Sequence, residues 1–179
     1  MPRISVKTIS EIAHYNNTIK YVARKDRCSK PIYGASNVYL PMKRSDVVPA
    51  IRKQFDMSKD FYGKEEFRLG IHFEINFAPS ELEYLDPWKI LQVGYWISET
   101  EFNGCQTYFA VHDHSEWNHL DMMINPVNIY TGKMYGCGKG GWNAICYRLC
   151  EYLKNYMPEE CVSELQVVYP DKKEVLTNV

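Results

Sequence analysis

The sequence predicts an α+β domain in which a five-stranded antiparallel sheet is flanked by helices. Three observations carry that expectation. The segment RLGIHFEINFAP alternates strictly, with Ile71, Phe73, Ile75 and Phe77 on one side and His72, Glu74 and Asn76 on the other, which is the period of a half-buried strand. The runs QTYFAVHDH and HLDMMINPVN are separated only by SEWN, so an antiparallel hairpin is the shortest way to join them. Segments with helical spacing lie among these strands, and no internal repeat, linker or low-complexity stretch divides the 179 residues. One domain of α+β type accounts for that order.

The elements follow along the chain. ISVKTI reads as a short strand, and EIAHYNNTIKYVARKD as an amphipathic helix with Ser10 as its N-cap. YGASNVYL reads as a turn and a strand. In SDVVPAIRKQFDMSKDFY, Val48, Ile51, Phe55 and Phe61 or Tyr62 recur at near-helical spacing. Ser45 is the expected cap there, and Pro49 is tolerated in the first turn. A third helix is expected over about residues 80–101, with Leu82, Leu85, Ile90, Val93 and Ile97 inward, ended by Asn103-Gly104. The hairpin comes next, then the Gly-rich TGKMYGCGKGG, a fourth helix WNAICYRLCEYLKNYM and one further candidate strand, LQVVY.

Composition narrows the function classes. With 45% apolar and 14% aromatic residues the chain can bury a core. It holds no run near the roughly 18 apolar residues of a membrane span, and Met1 to Ser10 lacks an apolar signal region. The expectation is a soluble intracellular protein without membrane insertion. Cys28, Cys105, Cys137, Cys146, Cys150 and Cys161 form no CxxC pair and read as reduced thiols, with Cys146 and Cys150 on one helix face. Net charge is −1, yet residues 1–70 carry 14 Lys/Arg against 7 Asp/Glu and residues 71–179 carry 7 against 15. The cations cluster in KYVARKDRCSK, MKR and IRK. On charge alone a solvated face and an anion-binding surface both remain open.

The chemistry concentrates in VHDHSEWNHLDMMIN, Val111 to Asn125, which holds three of the five histidines. Alternation sends His119, Asp121, Met123 and Asn125 to one face of the second hairpin strand. His112 ends the preceding strand across the short loop, so two imidazoles and one carboxylate can converge as a claw for a divalent cation. His72, Glu74 and Asn76 form a polar face that either borders this site, with Glu74 as a fourth ligand, or simply faces solvent. Lys133 and Lys139 in the Gly-rich loop are candidate phosphate contacts without a Walker pattern. Trp117 is open between base stacking and packing, whereas Trp142 is expected in the core or at its rim.

These residues resemble the MobP-type conjugative relaxases of the HUH endonuclease superfamily. The third motif of that family, a histidine, six residues, then His-x-His on a strand ending in Asn, is matched by His112, His119, Asp121 and Asn125. HFEINFAPSE is similar to the family's "H-F-x-x-S-F-x-P-x-E", NPVNIYTGKMY to "N-x-V-N-x-x-T-G-K", and TIKYVARKD to "x-x-K-Y-I", whose tyrosine is the nucleophile. The resemblance implies the ferredoxin-like palm of HUH enzymes over residues 1–179, either as a catalytic fragment or as a minimal stand-alone form. It also implies a bacterial cytoplasmic nickase that cuts and rejoins single-stranded DNA at a transfer origin. Tyr21 would attack the phosphodiester and form a 5′-phosphotyrosyl link. Tyr15, six residues earlier, is its internal rival. Lys20, Arg24, Lys25 and Arg27 would receive DNA phosphates. Accessory relaxosome proteins and a coupling protein are the implied partners.

Three positions depart from the family pattern. Asp121 replaces the last metal histidine, His114 stands where an aspartate is usual, and Asn76 replaces a serine. A carboxylate at position 121 tilts the expected metal towards Mg²⁺ or Mn²⁺. His114, Glu74, Asn125 and His72 are expected either to orient the ligands from behind or to serve as alternative ligands. Two other readings stay open: an HUH replication initiator or transposase, and a metal-bearing DNA-binding module that has lost cleavage. The tyrosine preceding the histidine cluster favours the relaxase.

Overall fold

The computed structural model describes residues 2–24, 32–113, 117–136, 139–162 and 166–168. Its elements are β1 (Arg3–Ile9), α1 (Ile12–Val22), β2 (Ile32–Ser36), α2 (Val47–Tyr62), β3 (Gly70–Phe77), α3 (Pro87–Thr100), β4 (Cys105–His112), β5 (Asn118–Asn128), α4 (Lys139–Leu153) and β6 (Gln166–Val168). They form one sheet in the order β2-β4-β5-β3-β1-β6. The first five strands pair antiparallel, as expected. The short β6 adds a parallel edge beside β1, so LQVVY supplies a sixth strand.

The sheet is buried on both faces because its central strands carry apolar residues at both phases of the alternation. Leu120, Met122 and Ile124 of β5 join Phe73, Ile75, Phe109 and Val111 in a core under α3 and α4, where Trp142 is also buried. Met123, Tyr108 and Ala110 face the other way, into a smaller core with Tyr15, Ile19 and Val22 of α1 and Ile51 and Phe55 of α2. The helix α3 lies close to β2 because glycines leave room for the Phe109 ring. A Cβ on Gly94 would stand 2.6 Å from Phe109 Cδ2, and one on Gly34 2.6 Å from its Cε2.

Several element boundaries differ from the expected ones. α1 starts after Glu11 rather than Ser10 and stops at Val22, with Ala23 as C-cap. Ser45 lies inside a 3₁₀ turn, Arg44–Asp46, and the N-cap position of α2 falls to Asp46. α3 begins at Pro87, not at 80, because Asp86 Oδ1 accepts from the Trp88 and Lys89 amides at 2.8 and 3.0 Å and Pro87 needs no amide partner. In YGASNVYL the strand is the first half, closed by Asn37 at φ 57°. α4 starts at Lys139, ahead of the expected Trp142.

Candidate metal and nucleophile site

Strand register builds the site. His112 pairs directly with His119 across the β4–β5 hairpin, and Ala110 and Glu74 flank Asp121 on either side. Asp121 therefore lies diagonal to His112 on β4 and to His72 on β3, all on the face beneath α1 and α2, within reach of cross-strand contact. Its carboxylate is fully buried. Oδ1 lies 2.7 Å from His72 Nε2, and Oδ2 lies 2.8 Å from His112 Nδ1 and 3.4 Å from His119 Nε2.

The outer nitrogens of the two imidazoles show why the inner ones are available. His112 Nε2 is 3.3 Å from the Val22 carbonyl and His119 Nδ1 is 3.4 Å from the Trp117 carbonyl. A carbonyl only accepts, so with the outer nitrogens donating to these carbonyls the inner nitrogens would offer lone pairs to a cation. Those inner nitrogens stand 3.3 Å apart, at 2.8 and 3.4 Å from Asp121 Oδ2. Three electron-rich atoms crowded in a buried site fit a cation. Burial pushes the His119 pKa down, against the opposing pull of Asp121. Burial alone would raise Asp121, but the contacts with His112 and His72 outweigh it and hold the carboxyl below the usual range. His72, Glu74 and Asp121 offer a second group of ligand atoms sharing the same carboxylate.

Tyr21 reaches this cluster from α1. Its ring meets His112 edge-on at 5.6 Å between centroids and His72 at 6.2 Å. Tyr15 is elsewhere: fully buried in the α1–α2 core, its hydroxyl donates to Asp56 Oδ1 at 3.1 Å and accepts from Lys59 Nζ at 3.1 Å. Burial and Asp56 push the Tyr15 phenol far above its ordinary range.

Other sequence candidates separate. Lys20 and Arg24 are exposed at the same end of α1 as Tyr21. Asn125 does not join the metal group; its Nδ2 donates to Ser58 Oγ at 2.6 Å, Gln106 Oε1 at 2.9 Å and the Phe55 carbonyl at 3.2 Å, tying α2 to the sheet. Lys133 follows the far end of β5, its carbonyl bonded to the Asn128 amide. Lys25, Arg27 and His114, and the side chain of Lys139, lie outside the described residues. Trp117 stands at the mouth with the Arg3 guanidinium over its ring at 5.2 Å. Sequence reasoning passed over Arg3 and Lys7, although the alternation of RISVK marks them as polar positions on one face of β1.

Comparison with known proteins bears on the fold and the family. The structure is similar to a MobM relaxase domain of the MOBV (Mob_Pre) type, solved bound to plasmid pMV158 oriT DNA with Mn. The TM-score is 0.54 at 13% identity, covering 98% of this chain and 95% of that one. No curated protein matches the sequence. The model of the relaxase family described as the MobA/VirD2-like nuclease domain matches residues 21–154, from the tyrosine on α1 through the histidine strands to the end of α4. With three quarters of its length inside that match, the chain belongs to the relaxases, as a MobA/VirD2-like nuclease domain.

Proposed function

We propose that this chain nicks and rejoins single-stranded DNA at a transfer origin, with Tyr21 as nucleophile and His112, His119 and Asp121 as ligands of a divalent metal ion. The observation that carries the reading is the packing of Tyr21 against two histidines of the cluster, with Tyr15 withdrawn into the core. The Tyr21 oxygen attacks the phosphorus in line, the bond from phosphorus to the 3′ oxygen breaks, and the products are a 5′-phosphotyrosyl link and a free 3′ hydroxyl. Attack by that hydroxyl reverses the step and rejoins the strand.

An unperturbed phenol titrates near pH 10, so attack at neutral pH needs a proton acceptor or positive charge nearby. The His72 and His112 imidazoles are the groups against the Tyr21 ring. When bound, the metal ion, Mg²⁺ or Mn²⁺ by the character of its donors, neutralises charge on the scissile phosphate. The Val22 carbonyl holds the His112 tautomer, which ties the ligand to the helix that carries the nucleophile. Glu74 is the candidate fourth ligand, and Lys20 and Arg24 attract the strand from the rim.

The test is a labelled single-stranded origin oligonucleotide incubated with the protein and Mn²⁺, followed by a denaturing gel. A covalent adduct that Tyr21→Phe abolishes is expected. Tight binding with no adduct under any divalent ion would reduce the chain to a DNA-binding module and overturn the nicking assignment.

A further inference from the structure

β1 sets Arg3, Ser5 and Lys7 opposite Asn76, Glu74 and His72. These residues therefore share the face of the His–Asp cluster, one strand further out. α1 packs over β4 and β5. Between it and β1 lies a cleft of ≈ 470 Å³ lined by Lys7, His14, Asn17, Thr18, Tyr21 and His72. His14, Thr18 and Tyr21 follow one another at helical spacing, so one stripe of α1 forms the wall across from Lys7. The Thr18 hydroxyl is turned back onto the His14 carbonyl at 2.9 Å. The lining offers an ammonium, imidazoles, an amide and a phenol and, among the described residues, no carboxylate. Such a surface suits an anion with several acceptor oxygens.

Two of the lining residues, Tyr21 and His72, also touch the candidate reacting centre, so the cleft opens directly onto it. We propose that this cleft holds a second phosphate of the same DNA strand, beside the one Tyr21 attacks, with Lys7 supplying the charge and His14 and Asn17 the hydrogen bonds. The inference rests on the single-strand reading given above. From Tyr21 to His14 is about 10 Å along the helix axis. That span covers roughly three nucleotide steps at the spacing of a stacked strand. The subsite therefore fixes the strand within a few nucleotides of the nick, and it does so from β1 and the start of α1, not from the basic residues after Tyr21.

The test uses the full chain and a fluorescein-labelled oligothymidylate, with anisotropy titrations across a salt series. Releasing a single-stranded phosphate from its cation makes the slope of log K against log salt shallower by about 0.7. Lys7→Ala is expected to lower the slope by about that amount and weaken binding severalfold, Lys7→Arg to restore both, and His14→Ala to weaken binding at nearly constant slope. Lys154→Ala, on a cation already paired with Glu151 and Glu159, serves as the control. Lys7→Met replaces the alanine variant if the latter melts early. An unchanged slope in Lys7→Ala and Lys7→Met, with the adduct still formed on origin DNA, overturns the cleft assignment alone. A lowered slope with no adduct from the wild type leaves the cleft standing and removes the nicking reaction.

Discussion

Replacing each of two tyrosines on α1 by phenylalanine separates chemistry from packing. The Tyr15 hydroxyl bridges Asp56 and Lys59 at 3.1 Å on each side. Without it, Asp56, whose side chain is 40% exposed, recovers a water, but Lys59, 2% exposed, does not. What remains to Lys59 includes Asp56 at 3.7 Å, the face of the aromatic ring at position 15 and, farther off at 5.9 Å, the Phe55 ring. Hydrogen bonds to charged groups contribute about 1.5–3 kcal/mol, and a buried donor left unmatched costs its desolvation. Tyr15→Phe should therefore destabilise by about 2–3 kcal/mol. For a chain of this size that lowers Tm by roughly 4–12 °C. Tyr21→Phe removes an oxygen at a half-buried position and should shift Tm by no more than about 2 °C. Calorimetric melting of both variants, paired with the adduct gel below their melting points, reads the two effects apart. Tyr15→Phe should keep the adduct and Tyr21→Phe should lose it. A Tyr15→Phe protein that melts like wild type, or an adduct that vanishes with Tyr15 and survives without the Tyr21 hydroxyl, refutes the assignment.

Further expectations concern the metal, a buried lysine and the packing of α3. His112→Ala, His119→Ala and Asp121→Asn should each weaken Mn²⁺ binding roughly 10–100-fold or more by titration calorimetry, while Asn125→Ala should leave it within about threefold and lower stability instead; equal losses at all four would place Asn125 in the metal group. Burial lowers the pKa of Lys59 from its ordinary 10.5 to about 8, against the charge of Asp56. The unfolded chain thus binds the extra proton between those values, and stability gains up to about 3 kcal/mol as pH rises through that window. Urea unfolding at pH 7 and pH 10 should show the gain in wild type and not in Lys59→Met, and identical pH dependence would count against it. Gly94→Ala should destabilise by about 1–2 kcal/mol despite alanine's better helix propensity, because its Cβ would stand 2.6 Å from Phe109; a more stable variant would mean that the α3–β4 packing yields freely.

Strand identity was legible because alternation is local. The side chains of His72, Glu74, His119 and Asp121 follow to their faces from period two alone, and the SEWN spacing brings His112 into reach of His119. Helix ends were read less well: the cap of α3 lies in Asp86-Pro87, a signal present in the sequence, whereas the helix was expected from about residue 80. Asn125 shares the phase of Asp121, and period two by itself sends it towards the site. Along a strand, four residues span about 13 Å, and that distance carries Asn125 away from the metal group and under α2, where Ser58 and Gln106 receive it.

By itself the sequence determined which residues can share a face, because a strand's geometry repeats every two residues and needs no distant information. The motifs it carries also marked Tyr21, His112, His119 and Asp121 as one family pattern. Strand order and helix placement were decided only in three dimensions. They put β3 next to β5, so that His72 rather than a loop residue meets Asp121, and they laid α1 so that Tyr21 rests on the histidines while Tyr15 is buried beside Lys59. Those contacts join residues tens of positions apart, and only the packing of both helix layers on one sheet fixes such distances.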